Sequence, residues 1–190
     1  MTADLKQRVL DASVQLIDDV GLAGLSMREV ARRAGVSHQA PYHHFADKAT
    51  IVAALVERGF TLLVDRLEAA ERTGPPAQRM RRVGRAYVDF ALEQPVYFRL
   101  MFRPELSDPA RFPAADAAGG RAFAVLERLV GDLAGPRASR SRQDALLSMH
   151  WSLVHGLATL LLDGPLAAEL GHGVARGHHV DDVLTLFLER

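Results

Sequence analysis

The chain has 190 residues, 48% of them hydrophobic and 24% charged, which fits a folded protein of one or two parts and argues against a mainly disordered chain. Its 23 basic and 23 acidic side chains cancel, so overall charge points to neither nucleic acid nor membrane, and any such case must rest on local patterning. Cysteine is absent, which excludes disulfides, thiol nucleophiles and thiolate metal sites and suits a reducing cytoplasm.

The start, Met1-Thr2-Ala3-Asp4-Leu5-Lys6, has an early acid and no long apolar block, so no export signal is expected. Leu5, Val9, Ala12, Leu16 and Val20 recur at steps of four and three and predict a first amphipathic helix with one buried stripe, ended by Gly21. Ser26-Met27-Arg28-Glu29 has the form of a capping box, Ser26 accepting from an exposed backbone N–H and Glu29 reaching back. A second helix therefore starts there, and Gly35 stops it. Gly35-Val36-Ser37 makes a tight turn, and Ser37 is placed to cap a third short helix that runs to about His44 or Phe45. Asp47 can cap a fourth, long helix carrying Ile51, Leu55, Leu62 and Leu67 before Gly74-Pro75-Pro76 breaks it.

Helical spacing returns from Pro76 to Glu93, from Pro95 through Phe102, from about Ala114 to Leu133, from about Ser141 to Leu162 and from about Val180 to Leu188. No segment reads as a strand, and no repeat of fixed period stands out. The most apolar stretch, Leu153 to Leu162, is interrupted by His155 and falls short of the roughly 20 residues that span a bilayer, so no membrane segment is expected. The expected fold is all-α: a helix-turn-helix head over residues 1–48, a connecting helix over 47–71, and a helical body over 76–190.

Positive charge is concentrated in the head. From Gly21 to Thr50 the cations are Arg28, Arg32, Arg33 and Lys48, against Glu29 and Asp47. Two short helices joined through Gly35-Val36-Ser37 and packed on a first helix make a trihelical unit whose third helix can enter a major groove. Val30, Ala31 and Ala34 are slim enough for close helix approach, and Val36, Tyr42 and Phe45 can plug the inner face. The outer face then carries Ser37, His38, Gln39, Tyr42, His43 and His44, with Arg28 and Lys48 opening the neighbouring helices. Arg28, Tyr42, His44 and Lys48 suit the sugar-phosphate backbone, and His38 and Gln39 suit base edges. Gln can bond an adenine edge twice, but a surface Gln with no such task is common.

The run Leu25-Ser26-Met27-Arg28-Glu29-Val30-Ala31-Arg32-Arg33-Ala34-Gly35-Val36-Ser37, followed by Tyr42-His43-His44-Phe45 and Lys48, resembles the N-terminal domain of tetracycline-repressor-like (TetR) regulators. The resemblance implies an all-α protein of about nine helices that dimerises through its last two, binds a double-stranded DNA operator and works in the cytoplasm as a repressor released by a small apolar effector. No cofactor is expected. Pro41 departs from the pattern, since such regulators more often have an aliphatic residue there. It removes an N–H and disfavours helical geometry at Ala40, so a distorted first turn is expected in the recognition helix.

In the body, Trp151-Ser152-Leu153-Val154-His155-Gly156 looks like the Trp-His-Gly signature of one subgroup. Trp151 and His155 share a helical face, where His155 either bonds a ligand or bonds a neighbouring carbonyl. Leu146, His150, Leu153, Leu157 and Leu160 form one stripe of this helix and Leu147, Trp151, Val154, Ala158 and Leu161 another, so it must bury two sides. A homodimer seam through Leu153, Leu157, Leu160 and Leu161, completed by Val183, Leu184 and Phe187 of the last helix, follows from that. Tyr87, Phe90, Tyr97, Phe98, Met101, Phe102, Phe123 and Met149 either line an effector pocket with Trp151 and His155 or are plain core.

Two rival functions remain open at this point. Glu169-Leu170-Gly171-His172 has the Glu-x-x-His spacing of di-iron enzymes, but one copy flanked by glycines reads as loop, and His178 and His179 likewise read as solvated loop rather than metal ligands. The other is a DNA-binding protein without an effector, whose body only dimerises.

Overall fold

The stripe from Leu5 to Val20 forms helix α1 (Thr2–Val20), and Gly21 ends it at φ 74°, a backbone conformation that glycine adopts without penalty. The computed structural model describes residues 2–169 and 176–189. Along them follow α2 (Met27–Arg33), α3 (Lys48–Ala70), α4 (Pro76–Glu93), α5 (Pro95–Met101), α6 (Pro113–Ala134), α7 (Arg140–Leu162), α8 (Pro165–Glu169) and α9 (Arg176–Leu188). Short 3₁₀ turns lie at Leu22–Gly24, Ala40–His43 and Pro104–Leu106, and among the described residues there is no strand. Helix α8 and two of the turns were not foreseen, because three to five residues are too few to show a helical period. Helix α9 starts before the expected Val180, so His178 and His179 lie in its first turns and not in a loop. Glu169 ends α8, while His172 lies outside the described residues.

The chain folds as two compact units, Met1–Phe60 with Val96–Gly119, and Thr61–Pro95 with Gly120–Arg190. In the first, Val9, Leu16, Val30, Ile51, Leu55 and Val56 are almost wholly buried. Val20, the last residue of the α1 stripe, is 56% exposed and does not belong to this core. Helix α5 packs closely on α3 because Gly59 has no side chain: a Cβ there would lie 2.7 Å from Met101 Sδ and 3.1 Å from Tyr97 Cβ. Arg58 bonds Asp11 of α1 at 2.7 Å and lies 5.7 Å above the Tyr97 ring, so one guanidinium ties three helices together.

In the second unit α4 is central, packed by α7 and α9. Gly84 permits that approach, since a Cβ there would stand 3.2 Å from Leu184 Cδ2 and 3.3 Å from Val154 Cγ1. Arg85 adds a polar tie, donating to Asp181 at 2.7 Å and to the Gly177 carbonyl at 3.0 Å. Glu71, just past α3, accepts from Arg79 and Arg128, and the Arg128 guanidinium first of all holds its carboxyl below the usual range.

Helix α7 bears on one expectation and corrects another. Its 23 residues are long and apolar enough to cross a membrane by length and composition alone, and only 22% of its most apolar window is buried. The two apolar stripes do not face two partners: His150, Leu157, Ala158 and Leu161 are buried within the unit, as is Leu184 of α9. The open face is instead Ala145, Met149, Ser152, Gly156 and Leu160, spaced by four and three, with Met149 and Leu160 about half exposed and nothing near the Gly156 Cβ position.

Candidate nucleic-acid interface

The head is assembled by local hydrogen bonds. Ser26 caps α2 by accepting from the Glu29 N–H at 3.3 Å, but Glu29 does not reach back; its carboxylate pairs with Arg32 at 2.5 Å. At the other end of α2 the Val36 N–H donates to the Ala31 carbonyl at 3.0 Å and the Gly35 N–H to the Arg32 carbonyl at 3.2 Å, with Gly35 at φ 65°. These two crossed bonds are a Schellman motif, and they turn the chain sharply without a cap from outside. Arg8 of α1 then donates to the Ala34 carbonyl at 2.6 Å and fixes the turn to the first helix, a role that no sequence signal announced.

The expected third helix is not an α-helix. Pro41 offers no N–H, and the segment runs as 3₁₀ turns, with bonds from Tyr42 N–H to the Gln39 carbonyl at 3.1 Å and from His44 N–H to the Pro41 carbonyl at 3.0 Å. No side chain caps it at Gln39. The distortion anticipated for the first turn extends over the whole element. With three residues per turn, Tyr42 lies over Gln39 and His44 over Pro41. Pro41 is buried and, with Phe45, is the plug; Tyr42, expected there as well as outside, is 45% exposed, and its ring lies 5.9 Å from that of His38. Arg28, Ser37, His38, Gln39 and His43 are also exposed, while His44 is half-buried against Phe45.

The local positive charge is partly neutralised inside the head. Arg32 is paired with Glu29 and Arg33 with Asp19 at 2.5 Å. Lys48 donates to the Leu22 carbonyl at 2.8 Å, which leaves two of its three N–H groups for other acceptors. Asp47 caps α3 as expected, accepting from the Thr50 N–H at 2.8 Å.

The ten effector candidates are divided between the two units, and Met149, in the second, lies on the open face of α7. Tyr97, Phe98 and Met101 are buried in the first with half-buried Phe102, and Phe98 and Phe102 meet edge to face at 5.3 Å; these are core. In the second, Phe90 is fully buried, whereas Phe123 and Trp151 keep over a third of their surface exposed and meet at 5.8 Å. Half-buried His155 places its Nδ1 2.8 Å from the Tyr87 hydroxyl, which Trp151 also hydrogen-bonds. Burial raises the Tyr87 pKa and lowers that of His155, so a neutral phenol meets a neutral ring. A shallow cavity of about 250 Å³ in this unit is lined by Leu62, Asp65, Arg66, Ala69, Phe90 and Gln94, and shares only Phe90 with the expected set.

Residues 9–55 match the family described as "Bacterial regulatory proteins, tetR family", and residues 80–182 match "Tetracyclin repressor-like, C-terminal domain". The chain belongs to the TetR family. The uncharacterized HTH-type transcriptional regulator YobS of Bacillus subtilis (strain 168) is 33% identical over 95 residues, 49% of each chain. The transcriptional activator FasR of Mycolicibacterium smegmatis is 33% identical over 96 residues, 50% of this chain and 44% of that one. The chain thus spans about half the length of these curated relatives. A solved structure of a protein with unknown function from Rhodococcus sp. RHA1 superposes with a TM-score of 0.75 at 30% identity, covering 97% of this chain and 92% of that one. Both named relatives are described as regulators of transcription, in contrast to the helical-enzyme reading.

Proposed function

We propose that this protein is a DNA-binding regulator of transcription that grips a double-stranded operator as a homodimer and is released from it by a small apolar effector. The observation that carries the reading is the head: a glycine-terminated α2 followed by a segment that exposes Ser37, His38, Gln39, Tyr42 and His43, in a stretch that matches TetR-family regulators. Arg28, Tyr42, His44 and Lys48 take the sugar-phosphate backbone. Gln39 and His38 take base edges, and the 3₁₀ geometry sets Tyr42 beside them.

The dimer seam uses the open face of α7 at Met149, Gly156 and Leu160, with half-buried Leu153 at its edge, and Val183, Leu186 and Phe187 of α9. Leu160 and Leu186 are 48% and 63% exposed, and the bare Gly156 position leaves room for a second helix to approach closely. Ser148, Ser152 and Thr159 on the same side suit a protein neighbour better than lipid tails. The effector meets the aromatic group of the second unit, Phe123, Trp151, Tyr87 and His155. Convergence of Trp151 and His155 on one tyrosine, next to the open Gly156, supports reading this run as the Trp-His-Gly signature of a subgroup. A regulator of chromosomal DNA works in the cytoplasm. A second reading, activation in place of repression, is favoured by FasR, which is an activator.

The test is selection of duplexes from a random pool, followed by two variants. Lys48→Ala should weaken selected and random duplexes alike and lower the salt slope by about one, as loss of one phosphate contact does. Gln39→Ala should relax preference at one base pair, by about 1 to 3 kcal/mol of discrimination. If the protein enriches no sequence and neither change affects duplex binding, the reading is wrong.

A further inference from the structure

We infer that Arg111 is a positioning residue for DNA binding, acting from the loop before α6 through the Asp47 carboxylate; this rests on the DNA-binding reading above. Both residues lie in the first compact unit. The joint between the 3₁₀ turn and α3 is held chiefly by side chains. Asp47 is its hub, with Oδ1 accepting from the Thr50 N–H at 2.8 Å and from the Thr50 hydroxyl at 2.9 Å, and Oδ2 accepting from Arg111 Nη2 at 2.5 Å. Lys48, the next residue, holds the same joint to the Leu22 carbonyl.

Arg111 is presented by an ordered turn and not by a loose tail. Asp108 closes the turn, its carbonyl accepting from the Arg111 N–H at 3.0 Å and the Phe112 N–H at 2.8 Å, its side chain from the Ala110 N–H at 3.0 Å. The guanidinium lies 4.8 Å from the centre of the Phe112 ring, and Ala115 and Ala118 are buried one and two turns on. The loop is therefore set against the core of its own unit, and it delivers one cation to the cap of the helix that follows the DNA-reading segment.

The contact has two effects on that segment. It fixes the carboxylate that orients the start of α3, and it neutralises a half-exposed negative charge adjacent to Lys48, where phosphates are to bind. The Thr50 N–H and hydroxyl, and then Arg111, hold the Asp47 carboxyl below its ordinary range, so it is charged at neutral pH and needs a partner. The pair is exposed, and exposed pairs add little to folding. Its loss should appear in DNA binding and not in melting.

The experiment is a double-mutant cycle on a duplex selected by the wild-type protein, read as affinity, salt slope and melting temperature for Arg111→Gln, Asp47→Asn and both together. Arg111→Gln should weaken binding by up to about five-fold, the factor an exposed ion pair is worth. In the Asp47→Asn background the same change should have no effect, and Arg111→Lys, which keeps a charged donor, should restore most of the loss. Melting and salt slope should stay at the wild-type values. An equal loss in both backgrounds with the slope reduced by about one would mean that Arg111 touches phosphate itself, and would overturn the positioning role. Wild-type affinity in Arg111→Gln would overturn it outright. If the wild-type protein selects no duplex, it is the underlying DNA-binding reading that fails.

Discussion

The turn after α2 and the packing of α4 against α7 and α9 hold the molecule together by different means. In the turn, the determinants lie within a few residues: Ser26 on Glu29, Val36 on Ala31, Gly35 on Arg32. Around α4 they lie far apart in sequence, as in Gly84 facing Val154 and Leu184, Tyr87 meeting His155, and Arg85 meeting Asp181. A local device fixes the path of the chain and contributes modestly to stability. A distant contact removes apolar surface from water and carries the fold. Substitutions in the two regions should therefore differ in both size and readout.

The largest effect is expected at Leu157, 7% exposed on the inner side of α7. Leu157→Glu places a charge without a partner in the core, which costs several kcal/mol, so the variant should fail to melt cooperatively. Leu160→Glu, one turn along on the open face, should leave the fold intact and break the dimer. Light scattering and circular dichroism of the two proteins separate the cases. A folded Leu157→Glu monomer would mean that the seam runs along the side of α7 described here as core.

Gly35 comes next, at φ 65°, where a side chain is strained although space is free, Arg8 Nη2 being 3.6 Å from the Cβ position. Gly35→Ala should lower stability by about 1 to 2 kcal/mol and weaken DNA binding as well, because the angle between α2 and the reading segment changes. Equal stability of variant and wild type in urea would show that the turn does not need this conformation.

The same contrast explains what could be read beforehand. Gly21, Ser26, Gly35 and Asp47 act on neighbours, so helix ends in the head were legible from single residues. Pro41 signalled distortion, but the conversion of the whole element to 3₁₀ depends on the absent N–H together with burial of the ring against distant residues. Leu157 and Leu160 look alike in the sequence, and only the position of α4 sends one inward and the other outward. Tyr87 and His155 read from the sequence as separate ligand candidates, because nothing local pairs positions 68 residues apart.

Tyr87→Phe measures that pair. It removes the hydroxyl and leaves His155 Nδ1 half-buried without that hydrogen bond, so stability should fall by about 1 kcal/mol. A larger loss of effector response than of stability would join the pair to ligand binding, and an unchanged urea midpoint would show that water replaces the phenol without loss.

The smallest effect is one that vanishes at neutral pH. Burial lowers the pKa of His150, whose Nδ1 lies 2.7 Å from the Leu146 carbonyl, and that of His155, so each takes up its proton less readily folded than unfolded. At pH 8 both forms are neutral and no penalty exists. As pH falls below about 6.5, the ordinary histidine value, the unfolded chain binds protons that the folded chain refuses, and linkage then favours unfolding. Stability should therefore decline from pH 7 toward pH 5. That decline comes before the acid loss of carboxylates such as Glu71 and Glu93, whose pKa values are held low by Arg128 and Arg66 and whose contribution persists until the pH nears the ordinary carboxylate range. Urea unfolding of the wild type and of His150→Leu with His155→Gln isolates the effect, Gln keeping a hydrogen-bonding group for Tyr87. The double variant should be flat between pH 7 and pH 5 where the wild type slopes. A wild-type curve that rises toward pH 5 would mean that these rings are more easily protonated in the fold than in the unfolded chain.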